Sequence, residues 1–175
     1  EKPSSVLPYF HGTHVSQSPP VYAIIMPGVD EPDPVLALKD PYNHTIMVTY
    51  FTFYPYNRGK ELLGTVWDNH VGDIEHAHVK FVNGKPVEVI AAYHAWNTTK
   101  KWGDPDIEMV NGTNHFVLYS ALGSHGLWFS NGTHQYHSDP TLSDQTSRGP
   151  AWDTWKNMQS ITPYEWGSWK AYGTT

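Results

Sequence analysis

The sequence has no cysteine among its 175 residues, so no disulfide staples the fold and stability has to come from packing and hydrogen bonds. Charge is also scarce. Asp, Glu, Lys and Arg make up 16% of the chain, and 17 acidic residues outnumber 11 basic ones for a net charge of −6. Lys100-Lys101 is the one adjacent basic pair. Nucleic acid is therefore excluded as a partner, because phosphate binding needs clustered Lys and Arg. No apolar run approaches the ~20 residues of a membrane-spanning helix. Nor does a 3.6-residue apolar period last beyond about two turns, which sets aside a helical bundle.

What the chain has instead is aromatic surface. Phe, Trp and Tyr reach 14%, with 8 Trp and 11 Tyr, a composition that packs well on pleated sheets. The length suits one domain over 1–175. Residues 1–44 are rich in Pro and polar residues and read as long loops around one short strand at Val21–Met26. Thr45–Tyr54 is β-branched or aromatic on both faces, the pattern of a doubly covered strand, and Pro55 is expected to end it. Glu75–Val82 and Pro86–Tyr93 flank Asn83-Gly84, a dipeptide that tolerates the positive φ angles of a tight hairpin turn. Asn114–Ala121 and Gly126–Phe129 read as further short strands, and Ala151–Met158 as a short helix. The expected fold is an all-β antiparallel sandwich with at most one or two short helices.

Four N-x-Ser/Thr sequons, at Asn43, Asn97, Asn111 and Asn131, each stand beside turn-forming residues. Together they point to a secreted, extracellular glycoprotein carrying N-glycans at these positions.

The chemically densest stretch is His70-Val-Gly-Asp-Ile-Glu-His76. Two-residue alternation puts Asp73 and Glu75 on one face with Ala77, Val79 and Phe81, a face that is apolar beyond Glu75. Two carboxylates at the mouth of a core face repel each other and lose hydration, so they need compensation. A basic side chain (Arg58, Arg148 or a Lys), a shared proton or a metal ion could each supply it. Gly72 gives the backbone freedom to turn His70 back towards them. One His with two carboxylates suits Ca²⁺, Mg²⁺, Mn²⁺ or Zn²⁺, and the oxygen-rich set leans towards a hard ion. Ile74, His76, His78 and Lys80 fall on the opposite, half-exposed face.

Tyr50-Phe-Thr-Phe-Tyr-Pro-Tyr-Asn57 followed by His70-Val-Gly-Asp-Ile-Glu-His76 resembles the family of vacuolar protein sorting-associated protein 62. Tyr93-His94, Tyr119–Gly126 and Trp152-Asp-Thr154 extend the resemblance over roughly residues 46–155, with Ile74 standing where that family usually has Trp. A more distant resemblance is to necrosis- and ethylene-inducing-like proteins, secreted β-sandwich toxins. It implies a divalent cation held by His70, Asp73 and Glu75, with an upstream ligand position falling near Asn57, and engagement of a membrane glycolipid head group.

His125, between Gly123-Ser124 and Gly126, and His94, in Tyr93-His-Ala-Trp96, end or follow expected strands. Both are candidate acid/base groups if the chain is an enzyme. Ser124 beside His125 does not make a nucleophile pair, since adjacent side chains on a strand point apart. Trp152, Trp155, Trp166 and Trp169 are either sugar-stacking platforms or, more often for such large aromatics, core or sheet-covering residues. Two functions follow. One is a cation-dependent binder of a glycan or glycolipid head group, effector-like and in peripheral contact with a membrane. The other is a metal-dependent hydrolase or lyase acting on a polysaccharide or phosphoester.

Overall fold

The computed structural model describes residues 12–162; Trp166 and Trp169 lie outside them. Twelve strands are formed among these residues: Val21–Pro27 (β1), Thr45–Asn57 (β2), Lys60–Leu62 (β3), Thr65–Trp67 (β4), His70–Val82 (β5) and Lys85–Tyr93 (β6), then Trp96–Lys101 (β7), Tyr119–Ser120 (β8), Leu127–Trp128 (β9), Gly132–Ser138 (β10), Thr141–Thr146 (β11) and Met158–Ile161 (β12). One short helix, Pro34–Lys39 (α1), interrupts the N-terminal loops. Asp33 starts it by accepting from the Leu36 amide at 2.9 Å, and Pro34 occupies the first turn, where its missing N–H costs nothing.

The larger sheet runs β12-β1-β2-β5-β6-β7. Every pairing in it is antiparallel except β1 with β12. The expected hairpin is present: Asn83 (φ 49°) and Gly84 (φ 71°) form the two-residue turn between β5 and β6. A Cβ at Gly84 would also stand 3.0 Å from the Tyr42 ring. The inner face of β5 and β6 supplies Ala77, Val89 and Ala91 to a core cluster. Ile107, Leu127 and Phe129 close it from the other side, with Trp102, Phe116 and Leu118 packed around them. The fold is thus the all-β, mainly antiparallel sandwich expected, its second layer made of short two-stranded pieces rather than a continuous sheet.

Four local expectations need correction. Pro55 does not end β2, which continues to Asn57. β1 pairs only with Ile46–Phe51, so a residue at 55 has a ladder on one side alone and the missing donor is tolerated, as on an edge strand. β2 is not covered on both sides either, since Phe53 is 55% exposed. Residues 151–158 form a 3₁₀ turn at Thr154–Asn157 and then enter β12, because parallel pairing with β1 takes over at Met158. Asn114–Ala121 shrinks to an isolated bridge between Phe116 and Met109 and the short β8. Trp152 and Trp155 are half-buried. Trp152 donates to the Pro19 carbonyl at 3.3 Å, and Trp155 stacks on His115 at 4.1 Å.

Candidate functional site

β5 starts well before its partner β6. The β5–β6 ladder begins at Ala77↔Ala91, so residues 70–76 pair only with β2. This leaves the sheet open at one end, and the turns of the second layer converge there. The inward side is the one alternation assigns to Asp73 and Glu75: Glu75, Ala77 and Val79 are buried, while Ile74 is 50% exposed on the other face.

Asp73 takes a partner that the spacing did not suggest. His125 Nδ1 lies 2.9 Å from its carboxylate, and the Tyr54 ring stacks on the imidazole at 3.9 Å, nearly parallel. Tyr54 donates its hydroxyl to Ser120 at 3.3 Å, and burial pushes its phenol upward. Arg148 is not the partner of either carboxylate; it pairs with Glu108 at 2.7 Å. Among the described residues no salt bridge reaches Glu75. Burial, with smaller contributions from the charges of Asp73 and Asp144, raises its carboxyl to about 8. With no basic partner at hand, burial favours the neutral form of Glu75 in the cation-free chain.

Asp144 is the centre of the adjoining cluster, and its side chain is fully buried. One carboxylate oxygen is 2.7 Å from Lys60 Nζ and accepts from Ser124 Oγ at 2.7 Å; the other accepts from Trp128 Nε1 at 3.0 Å and meets His94 Nε2 at 3.1 Å. Burial opposes its ionisation, but the hydrogen bonds from His94, Lys60 and Ser124 outweigh that and hold the carboxyl well below its usual range. Sequence reasoning missed Asp144, Lys60 and Trp128 as site residues. His94 and His125 each have a carboxylate at one ring nitrogen, and both take left-handed backbone (φ 51° and 62°). That conformation costs a non-glycine residue roughly 1–2 kcal/mol, and such strain concentrates at functional sites.

Beside this cluster opens a cleft of about 460 Å³. Trp67 and Trp96 (61% and 44% exposed) and Tyr136 stand on its walls, with Asn57, Lys60, His94 and Ser124 offering polar groups. Tyr136 lies over His94 at 4.1 Å, and Trp96 is 5.8 Å from Tyr136. Asn57 is buried, donates to the Asp68 carbonyl at 2.6 Å, and leaves its Oδ1 without a hydrogen-bond partner.

The four expected cation ligands are thus placed unequally. Asn57 and His70 face each other across the β2–β5 ladder. His70 is exposed, with Nδ1 2.9 Å from the Gly72 carbonyl; Gly72 takes φ 75°, so strict alternation stops there. Among the described residues no three His, Asp or Glu side chains form a group that could hold a metal. The donor types present are those a hard cation takes. Asp73 and Glu75 supply two carboxylates, Asn57 an unsatisfied amide oxygen, and an ion such as Mg²⁺ commonly keeps several waters while bound through one or two carboxylates.

Fold and site together define an all-β sandwich with a polar cluster and an aromatic cleft at one open end. The chain is similar in sequence to vacuolar protein sorting-associated protein 62, in line with the His70–His76 motif. It is 34% identical over 143 residues to that protein from Saccharomyces cerevisiae, covering 73% of this chain and 30% of the yeast protein. A second yeast protein named for vacuolar protein sorting, TDA6, is 33% identical over 147 residues, covering 73% of this chain and 31% of its own length. The chain thus spans under a third of the curated relatives it matches. No family model matches the chain. A solved structure described as "Toxin fold for microbial attack and plant defense" covers 89% of this chain and 57% of its own, at a TM-score of 0.45 and 13% identity.

Proposed function

We propose that this chain is an extracellular binding domain that engages a glycan or glycolipid head group in the Trp67–Trp96–Tyr136 cleft. A divalent cation (Ca²⁺, Mg²⁺, Mn²⁺ or Zn²⁺) assists at Asp73, Glu75 and Asn57, with His70 at the rim. The cleft carries the reading. Exposed indole rings beside a hydrogen-bonding floor suit a ligand with both apolar ring faces and hydroxyls, and pockets of this size place a few polar groups among aromatic walls. The unsatisfied Asn57 Oδ1, and a buried Glu75 that no salt bridge reaches among the described residues, support the cation. Exposure of all four sequon asparagines supports secretion and N-glycosylation. Replacing Trp67 or Trp96 by Ala is expected to weaken binding to a responsive glycan or glycolipid vesicle by at least tenfold, with the melting temperature unchanged. Equal binding by Trp67→Ala/Trp96→Ala would remove the cleft from the account.

One observation favours a second reading, a metal-dependent hydrolase or lyase acting on a polysaccharide or phosphoester. His125 and His94 are each backed by a carboxylate, as a general base is when its ring is held in one orientation. In that case a panel of such substrates turns over, and His125→Ala lowers the rate by roughly 10²–10⁴-fold. Absence of turnover across the panel leaves the binding domain.

A further inference from the structure

The outer face of β5 carries a second arrangement, independent of the open end. His76 and His78 alternate with the buried Ala77 and Val79, so both rings rise from the same side of one strand. Their centroids are 4.9 Å apart and the rings are edge to face. Across the β2–β5 ladder His78 is opposite Thr49, whose Oγ1 lies 2.8 Å from His78 Nδ1. Thr49 is buried. His76 has the Phe51 ring as its cross-strand neighbour at 6.1 Å.

The geometry points to a two-histidine chelate for a borderline divalent ion, Zn²⁺, Ni²⁺ or Cu²⁺. With metal–nitrogen distances of ~2.0–2.1 Å, two imidazoles on one tetrahedral ion have centroids about 5 Å apart. The observed centroid separation of 4.9 Å is of that size. The tautomer of His78 that donates Nδ1–H to Thr49 leaves Nε2 as the ligand, the outer-shell role hydroxyls and carbonyls play at histidine–metal sites. Among the described residues no hydrogen bond anchors the His76 ring, and rotation about its broad χ2 torsion aims a nitrogen at the same ion. Imidazole pairs select these ions over Mg²⁺ and Ca²⁺, which prefer oxygen, so this site and the carboxylate mouth differ in the metals they take.

The test is calorimetric titration of the untagged full chain with ZnCl₂ and NiCl₂, with MgCl₂ as contrast. Zn²⁺ and Ni²⁺ are expected to bind at a site where His76→Gln and His78→Gln each cost at least tenfold in affinity. Thr49→Val is expected to weaken binding by roughly tenfold through loss of the ring's anchor. Asp73→Ala leaves this site unchanged, which separates it from the cation of the proposed function. His76→Gln keeps the Thr49–His78 bond and is the variant to read if His78→Gln melts below the assay temperature. Zn²⁺ binding at wild-type affinity in His76→Gln, or no Zn²⁺ binding by the wild type, overturns the assignment.

Discussion

Asp144→Ala is expected to cost about 3–5 kcal/mol of stability, the scale for breaking a buried ionic group by removing one partner. The reason is local. Asp144 is fully buried, and Lys60, Ser124, His94 and Trp128 all end on its two oxygens. Alanine would leave four polar groups from four separate segments facing a void. The Arg148–Glu108 pair offers the contrast, with a shorter list of partners and an Arg side chain that is 68% exposed. Because water competes there, Glu108→Ala should cost far less than Asp144→Ala. Urea unfolding of the two variants measures the difference. Equal losses would mean that Asp144 does not organise the second layer.

The second large effect concerns Glu75 in the cation-free chain. Its folded carboxyl sits at about 8 against an ordinary 4.5, raised chiefly by burial and then by Asp73 and Asp144. The fold therefore favours the neutral acid. This contribution is fully present below pH 4.5 and is lost as pH rises through 8, the direction opposite to a salt-bridged carboxylate. Over that window the loss amounts to roughly 4 kcal/mol, at ~1.4 kcal/mol per unit of displacement. Glu75→Gln keeps the shape without the titration. It should flatten the stability profile between pH 4.5 and 8 and leave the variant more stable than the wild type at pH 8 when EDTA is present. Parallel profiles for the two proteins would show that Glu75 ionises freely in the fold.

These two residues also mark what the sequence makes legible. Glu75 and Asp73 were readable because β5 alternates cleanly from Asp73 to Val79, so period two alone assigns their face. The hairpin that follows was readable from Asn83-Gly84, a local signal with a local cause. Asp144 had no such signal. Its strand reads Thr-Leu-Ser-Asp-Gln-Thr, without apolar alternation, and its partners lie 16 to 84 positions away along the chain. The same limit applies to His125, whose bond to Asp73 spans 52 positions. Pro55 shows the converse failure: a local rule was overridden because tertiary context left that stretch with a single neighbouring strand. The arrangement of the open end is thus set by which short segments the second layer delivers there, and pairing at that range is not encoded in any one window of residues.

The account centres on a cation-assisted binding site at this open end. Its most direct test is binding of the full chain to a glycan array and to glycolipid vesicles, with and without EDTA, for the wild type and Asp73→Ala/Glu75→Ala. The account predicts binding that EDTA and the double variant each reduce by at least tenfold, restored to the wild type alone by adding back a divalent cation. Binding of the same strength in EDTA, or in the double variant, would contradict it.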